Sequence, residues 1–266
     1  MNEIKLTDLN DPCLEPYRDL KKSNQTRWNR HFIAEGRFVV ERLLQSDYEI
    51  ESVLVSEKKL HLYPEEYLDR APRIILPHAL MEELIGFNFH QGFLACGIRK
   101  QEQALPAPRP DKSSLILACP HITDPDNLGT IMRLARAFGV SGLIVGDQST
   151  DPFSRRVIRV SMGNIFFLPI IVPNDFQETI EQLKREQNYQ VFATVLDEQA
   201  ESLMNQSRPE HLVLMFGNEA NGLEEHHREL ADRLVTIPMD DGTDSLNVAL
   251  SAGIFLYHFT RLGGRS

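Results

Sequence analysis

The sequence LVLMFGNEANGL, residues 212–223, joins a run of five apolar residues to a polar turn that contains two glycines. An apolar run of this length, bounded by turn residues, is typical of a strand buried on both faces of a sheet. Gly217 at the strand end would allow backbone groups to approach a ligand closely; an ordinary strand-to-helix turn is the alternative. Because parallel sheets bind ligands beyond the carboxyl ends of their strands, we expect this turn to line a site.

The rest of the carboxy-terminal half repeats this alternation of apolar runs and helix-like segments. The strand-like runs are 115–118, 143–145, 167–172, 190–195, 212–216 and 234–237. The segments with helical spacing of apolar residues are 128–138, 175–186, 223–231 and 245–262. Buried strands separated by helices predict a mainly parallel α/β sheet.

Two other polar turns follow strands of the same predicted sheet. HITDPDNLGTIMRLARAFGV (121–140) places Asn127 beside the start of a helix and Arg133 further along it. VTIPMDDGTDSLNVALSAGIFLYHF (235–259) runs from a strand through an Ile-Pro-Met loop into an apolar helix, with Asp244 or Ser245 as the expected helix cap. Taken singly, the first is also consistent with a helix cap and a surface arginine, and the second with a capped core helix.

Taken in order, the segments NLGTIMR, FGNEANGL and IPM…SLN closely resemble the three motifs of the SpoU/TrmH family of SPOUT methyltransferases, over residues 115–262. The resemblance implies an α/β domain with a parallel sheet and a carboxy-terminal trefoil knot. It implies an enzyme that transfers methyl from S-adenosyl-L-methionine to a ribose 2′-hydroxyl of RNA. It also implies a homodimer, with the active site formed at the dimer interface.

The family's functional residues map onto ten positions of this sequence. The resemblance implies that the cofactor lies against Gly217, Ile237, Met239 and Leu246, with Thr194 as a further candidate. The reactive set that it implies is Asn127, Arg133, Glu219, Ser245 and Asn247.

Two of the motif positions raise specific questions. An arginine is the proposed base in the family, but an arginine side chain stays protonated in proteins. We therefore expect Arg133 to clamp a phosphate and the developing charge. Ala220 stands where the family usually has glycine, and it should be tolerated if its φ is negative.

The amino-terminal part also alternates helix-like and strand-like segments and predicts a small α/β sandwich. Residues 32–44 and 77–85 have helical spacing, and 50–55, 73–76 and 93–98 look like strands. EGRFVVERLL (35–44) and HQGFLACG (90–97) resemble the RNA-binding domain of many family members, which is similar to ribosomal proteins. The expected domains are 1–105 for RNA binding, a proline-rich linker at 106–114, and the methyltransferase domain at 115–266.

Charge is unevenly distributed along the chain. The net charge is −10, which argues against binding nucleic acid over the whole surface. Seven basic residues nevertheless fall between positions 18 and 42, against three acidic ones. Local basic patches decide phosphate contact, although a solvated helix face would explain the run equally well.

Several protein classes are disfavoured by what the sequence lacks. No apolar run approaches membrane-spanning length and no signal peptide is evident, so we expect a cytoplasmic protein. Cys13, Cys96 and Cys119 lack a CxxC spacing, and we predict neither disulfides nor a metal site. A dehydrogenase on a similar sheet would need a GxGxxG fingerprint, which the chain does not contain.

Two classes of RNA substrate fit the sequence. Ribosomal RNA is the preferred substrate because of the resemblance of the amino-terminal part, and transfer RNA is the alternative for the same chemistry. A catalytically inactive RNA-binding or assembly protein is a second alternative. The intact set of Arg133, Glu219, Ser245 and Asn247 favours an enzyme.

Overall fold

The computed structural model describes residues 3–18, 20, 30–100, 105, 107–108, 113–197, 199–240 and 245–262. The chain forms two compact units: Met1–Gln101 with Asp151–Phe166, and Glu102–Thr150 with Phe167–Ser266. Most of the predicted linker lies outside the described residues, as does the predicted cap Asp244.

The secondary structure comprises twelve described strands and seven described α-helices. The strands are β1 Glu3–Lys5, β2 His31–Glu35, β3 Ile50–Ser56, β4 Arg73–Leu76, β5 Phe93–Ile98, β6 Ser114–Cys119, β7 Gly142–Val145, β8 Ile170–Ile171, β9 Gln190–Thr194, β10 Glu201–Ser202, β11 His211–Met215 and β12 Arg233–Thr236. The helices are α1 Arg37–Gln45, α2 His78–Ile85, α3 Pro125–Phe138, α4 Arg155–Val160, α5 Phe176–Gln187, α6 Glu225–Arg228 and α7 Val248–Tyr257.

The first unit contains a mixed five-stranded sheet in the order β1-β4-β3-β5-β2. β1, β4 and β3 are parallel, and β5 is antiparallel to both β3 and β2. The predicted helix over 32–44 is wrong in its first part, because β2 occupies His31–Glu35 and Gly36 turns the chain with φ +99° before α1 begins. The four buried positions from Phe32 to Glu35 suit a strand covered on both faces.

Residues Asp151–Phe166 pack within the first unit, although they fall in the predicted methyltransferase domain. The rings of Phe153 and Phe166 lie 5.3 and 5.5 Å from that of Phe32. Arg99 donates two hydrogen bonds to the Asp151 carboxylate, at 3.0 and 2.5 Å. Aromatic packing and this bidentate pair give the segment its place in the unit. Its short helix α4 is a further element that the sequence patterns do not predict.

The second unit contains the predicted parallel sheet, with seven strands in the order β10-β12-β9-β11-β6-β7-β8. All described pairs of neighbouring strands in it are parallel. β6 and the four residues Leu212–Met215 of β11 are buried throughout, as the apolar runs indicate. The differences are short elements: β8 has two residues, α6 has four, and β10 has no counterpart in the apolar pattern.

Two capped helices, α3 and α7, pack against each other beside this sheet. The Asp124 side chain caps α3 by accepting from the Asp126 amide, with Pro125 in the first helical position. The expected start of α7 at Ser245 is wrong. The Asn247 side chain accepts from the amides of Ala249 and Leu250, so the helix begins at Val248. After α7 the chain continues as a π-helical turn, His258–Leu262. None of the described helices has the length and apolar character needed to cross a membrane.

Candidate active site

A cavity of about 530 Å³ opens in the second unit where β9, β11 and β12 end and α7 begins. A volume of this size is typical of sites for cofactors and other small ligands. Its lining includes nine of the ten residues singled out from the sequence: Asn127, Thr194, Gly217, Glu219, Ile237, Met239, Ser245, Leu246 and Asn247. Parallel strands that end at one edge therefore bring together three loops that are far apart in sequence.

Arg133 is the exception. It is exposed on α3 and is not among the described residues that line the cavity. It follows Asn127 by six residues, which is about 240° around a helix at 3.6 residues per turn. Its side chain therefore leaves α3 on a different side from Asn127. Its predicted role in clamping a phosphate stays a prediction.

The Glu219 carboxylate joins the turn after β11 to the start of α3. Oε1 accepts from the Asn127 side-chain amide at 3.0 Å and from the Asp124 backbone amide at 3.2 Å. Oε2 accepts from the Thr123 hydroxyl at 3.2 Å, and from the Thr123 backbone amide and the Asn218 side chain at 3.4 Å. Five donors on one carboxylate exceed its roughly four lone-pair sites. The arrangement suits a residue that organises the loops.

These hydrogen bonds also fix the charge of Glu219. Partial burial acts against ionisation, but donors from Asn127 and from the backbone of Glu219, Asp124 and Thr123 outweigh it and lower the pKa of the Glu219 carboxyl. Glu219 is therefore a carboxylate at neutral pH.

Asn127 connects this carboxylate to the third loop. Its side-chain oxygen accepts a hydrogen bond of 2.8 Å from the Asn247 amide, while its own amide donates to Glu219. Asn127 is only 7% exposed. Asn247 caps α7 with its oxygen and reaches Asn127 with its nitrogen, so both ends of its side chain are used. One row of three side chains thus ties together the loops after β6, β11 and β12.

The turn from Gly217 to Gly222 is closed by its own hydrogen bonds. Asn218 and Gly222 exchange backbone hydrogen bonds of 2.8 and 2.9 Å. The Asn218 side chain accepts from the amides of Ala220 and Asn221 and donates to the His121 carbonyl. A Cβ at Gly217 would lie 2.3 Å from the Gly222 carbonyl carbon, so glycine is required by the turn itself.

Ala220 is accommodated in this turn as predicted. Outside glycine, the described residues with positive φ are Met162 and Asn188, so φ at Ala220 is not positive. The usual glycine of the family is therefore not required here.

The remaining lining offers apolar surface and two charges. Phe216 and Phe255 pack edge to face at 5.9 Å and are both at least 98% buried. Ile237 and Met239 are half-buried at the end of β12, and the Thr194 hydroxyl is held by the Met215 carbonyl at 3.0 Å. Among the described residues that line the cavity, Glu219 and Arg228 carry charge. Such a site can hold an amphiphilic cofactor with an apolar ring system and charged ends.

Sequence reasoning missed Asn218, Arg228, Phe216 and Phe255 at this site. Asn218 carried a signal, because asparagine in a turn commonly accepts from the backbone amide two residues on. The phenylalanines had no signal beyond that of core residues, and Arg228 becomes part of the site only through the fold.

A cofactor-sized cavity at the carboxyl ends of an all-parallel sheet is typical of α/β enzymes. The chain belongs to the SpoU rRNA Methylase family, whose model matches residues 114–257. The family and the methyltransferase class predicted from the motifs are thereby confirmed.

Individual relatives support this assignment along nearly the whole chain. An uncharacterized tRNA/rRNA methyltransferase of Mycobacterium tuberculosis is 30% identical over 96% of this chain and 91% of its own length. The 23S rRNA (guanosine(2553)-2′-O)-methyltransferase RlmP of Bacillus subtilis is 27% identical over 89% of this chain and 91% of its own. The crystal structure of an AdoMet-bound rRNA methyltransferase from Sinorhizobium meliloti is similar with a TM-score of 0.81, at 26% identity and 97% coverage of both chains.

The hydrogen bonds to Glu219 predict a pH-dependent contribution to stability. Because the pKa in the folded state is lowered, the contribution is present above the unfolded value of about 4.5 and is lost as pH falls through the folded value. Unfolding of the natural chain and of Glu219→Gln should be compared by denaturant titration at pH values from 7 down to 3. We expect the difference in unfolding free energy to be constant down to about pH 5 and to shrink below it.

Glu225→Gln, at an exposed glutamate of α6, is the matched control. A difference for Glu219→Gln that does not change with pH would contradict the assignment.

Proposed function

We propose that this protein transfers the methyl group of S-adenosyl-L-methionine to a ribose 2′-hydroxyl of RNA, and that ribosomal RNA is its substrate. The observation that carries the proposal is the cavity in which Glu219, Asn127 and Asn247 join the three motif loops. The relatives support the same reading, because one is named as a 23S rRNA 2′-O-methyltransferase and another was solved with AdoMet bound.

The lining residues fit S-adenosylmethionine. Gly217, Ile237, Met239, Leu246 and Thr194 would hold it. When bound, the cofactor supplies a methyl group on a sulfonium, which is reactive toward an oxygen nucleophile in line with it. The trefoil knot implied by the family resemblance belongs to this proposal, since threading would keep the loops in fixed relation.

The protein's own residues would act mainly by positioning the ribose. Holding the hydroxyl oxygen in line with the methyl group lowers the entropic part of the barrier. Glu219 already accepts from five donors and is a poor proton acceptor. Ser245 is exposed and lines the cavity just before α7 begins, and it would contact the ribose. Arg133 would clamp the adjacent phosphate, and the hydroxyl proton would pass to phosphate or to water.

A homodimer accounts for an apolar surface on α7. Leu250, Ile254 and Tyr257 are 63, 41 and 50% exposed, beside Met204 at 78%. Monomeric proteins rarely leave contiguous apolar surface of this kind in water. We propose that a second copy of the chain covers this surface and that Arg133 of each chain reaches the cavity of the other. This would explain why Arg133 does not line the cavity of its own chain.

We assign RNA capture to the first unit. Within the basic run of residues 18–42, Arg30 is exposed, whereas Lys21, Lys22 and Arg27 lie outside the described residues. In α4, Arg155 and Arg159 pair with Glu35 at 3.3 and 3.4 Å, so part of that cluster is structural. We propose that the enzyme modifies its RNA substrate in the cytoplasm.

Methyl transfer to defined RNA tests the function directly. Purified protein, labelled S-adenosylmethionine, and ribosomal or transfer RNA from cells that lack the gene should be incubated together and digested to nucleosides. We expect 2′-O-methylated nucleoside from ribosomal RNA, and its loss by at least about 100-fold in Arg133→Ala, which removes a transition-state contact. Arg136→Ala, one helical turn further along α3, should retain activity. Label found only in transfer RNA would mean that transfer RNA, and not ribosomal RNA, is the substrate. RNA binding without methyl transfer would mean that the protein is a catalytically inactive RNA binder.

Mixed dimers test the exchange of Arg133 between subunits. Arg133→Ala and Gly217→Ala should each be inactive, because one lacks the clamp and the other disrupts the cofactor turn. If the two are dissociated and reassociated together, heterodimers should contain one complete site, and random mixing should restore roughly a quarter of normal activity, since about half the dimers are mixed. Light scattering should give twice the chain mass of 30.4 kDa. A mixture that stays inactive although heterodimers form would contradict the exchange.

A further inference from the structure

The first unit gathers three side chains whose atoms commonly bind metals, and none of them is among the described residues that line the cavity of the second unit. His31 lies at the start of β2, Glu51 in β3 and Cys96 in β5, which is the strand between the other two. The His31 Nε2 atom is 3.1 Å from Glu51 Oε2, and Cys96 Sγ is 3.3 Å from the same oxygen. All three atoms lie within 4.8 Å of one another.

The backbone of β3 is irregular where Glu51 enters the cluster. Ile50 pairs with Gly97 and Ser52 with Cys96, so the register shifts at Glu51. A bulge of this kind re-aims a side chain relative to regular alternation. Here the Glu51 carboxylate reaches Cys96 Sγ. The residues on either side of it, Ile50 and Ser52, are both buried, at 6% exposure.

Two of the three separations between these atoms are close to those of a tetrahedral zinc site, and the third is within 4.8 Å. Zinc binds sulfur at about 2.3 Å and nitrogen or oxygen at about 2.0–2.2 Å, so neighbouring ligand atoms lie roughly 3.4–3.6 Å apart. The two separations of 3.1 and 3.3 Å need only small adjustments to match. Imidazole, carboxylate and thiolate are also the three ligand types that zinc prefers in proteins.

The surroundings support the same reading. Cys96 is buried, whereas the His31 and Glu51 side chains are 37 and 44% exposed, so one side of the cluster faces solvent. Behind it, the buried Tyr17 hydroxyl accepts from the Cys96 amide at 3.2 Å and contacts Ser52, which fixes the strand that carries the sulfur. Hydrogen-bonded second-layer residues of this kind orient metal ligands.

We propose that His31, Glu51 and Cys96 form a zinc-binding site on the sheet of the first unit, with water as the fourth ligand. On binding, the Cys96 S–H bond breaks, its proton passes to solvent, and the sulfur bonds to Zn²⁺. The ion would link β2, β3 and β5 and stabilise the unit. The prediction of no metal site from the sequence did not include this cluster, because its residues are 20 and 45 positions apart and show no local ligand spacing.

Metal titration of the full-length protein tests the site. The chelator-treated chain should be titrated with zinc chloride in competition with a chromophoric chelator, and separately with Co²⁺. We expect one ion per chain, a near-ultraviolet sulfur-to-cobalt band that disappears in Cys96→Ser, and a higher Tm with zinc. His31→Gln and Glu51→Gln change partly exposed side chains and should fold, and each should weaken binding at least about tenfold. Repeating the series in a Cys13→Ser background removes the exposed thiol as a competing ligand.

A surface histidine of the same unit supplies the matched control. His61 is exposed, and His61→Gln should bind zinc as the natural chain does. No stoichiometric binding, or equal binding in His31→Gln, Glu51→Gln and His61→Gln, would overturn the proposal and leave the cluster as an ordinary hydrogen-bonded group. Because the site lies outside the methyltransferase cavity, this result and the methylation assay stand independently.

Discussion

The arrangement of the candidate active site depends on the side chain of Asn127, which two other loops share as a hydrogen-bond partner. Its amide donates to Glu219 and its oxygen accepts from Asn247, at 3.0 and 2.8 Å. Removing either partner would leave a polar atom of the nearly buried Asn127 unsatisfied, which costs about 1–3 kcal/mol. Since Asn127 is nearly buried, three loops that have no sequence proximity are held in one arrangement.

The same contact links the cavity to the surface of α7. Asn247 begins that helix by capping its first amides and joins Asn127 with its remaining group. The position of α7 is therefore tied to the turn after β11, and the exposed apolar residues of α7 are placed relative to the cavity. The cofactor site and the proposed dimer surface are thus connected through the Asn247 side chain. This connection is consistent with an active site that a second chain completes.

The parts of this structure that followed from sequence were those with a repeating physical pattern. Strands buried on both faces gave continuous apolar runs, so the parallel sheet and the strand ends that carry the site were predicted. The start of β2 was missed because its buried residues also fit helical spacing, and Gly36 was not recognised as the turn. The start of α7 at Val248 depends on which side chain caps the helix, and the residue pattern did not single out Asn247 for that role. The direction of Arg133 on α3 follows from its spacing to Asn127, but the place of the cavity relative to α3 could not be read from the sequence. The His31, Glu51 and Cys96 cluster arises from strand pairing over long sequence separation.

A double-mutant cycle between Asn127 and Asn247, read out as S-adenosylmethionine affinity by calorimetry, tests the central claim most directly. Asn127→Ala removes the bridge, and Asn247→Ser keeps a helix-capping oxygen while removing the amide that reaches Asn127. If one contact holds the loops together, the second change should cost little once the first is present, with a coupling energy of about 0.5–3 kcal/mol. Effects that add to within about 0.3–0.5 kcal/mol would mean that the loops hold their positions independently, and the account would be wrong.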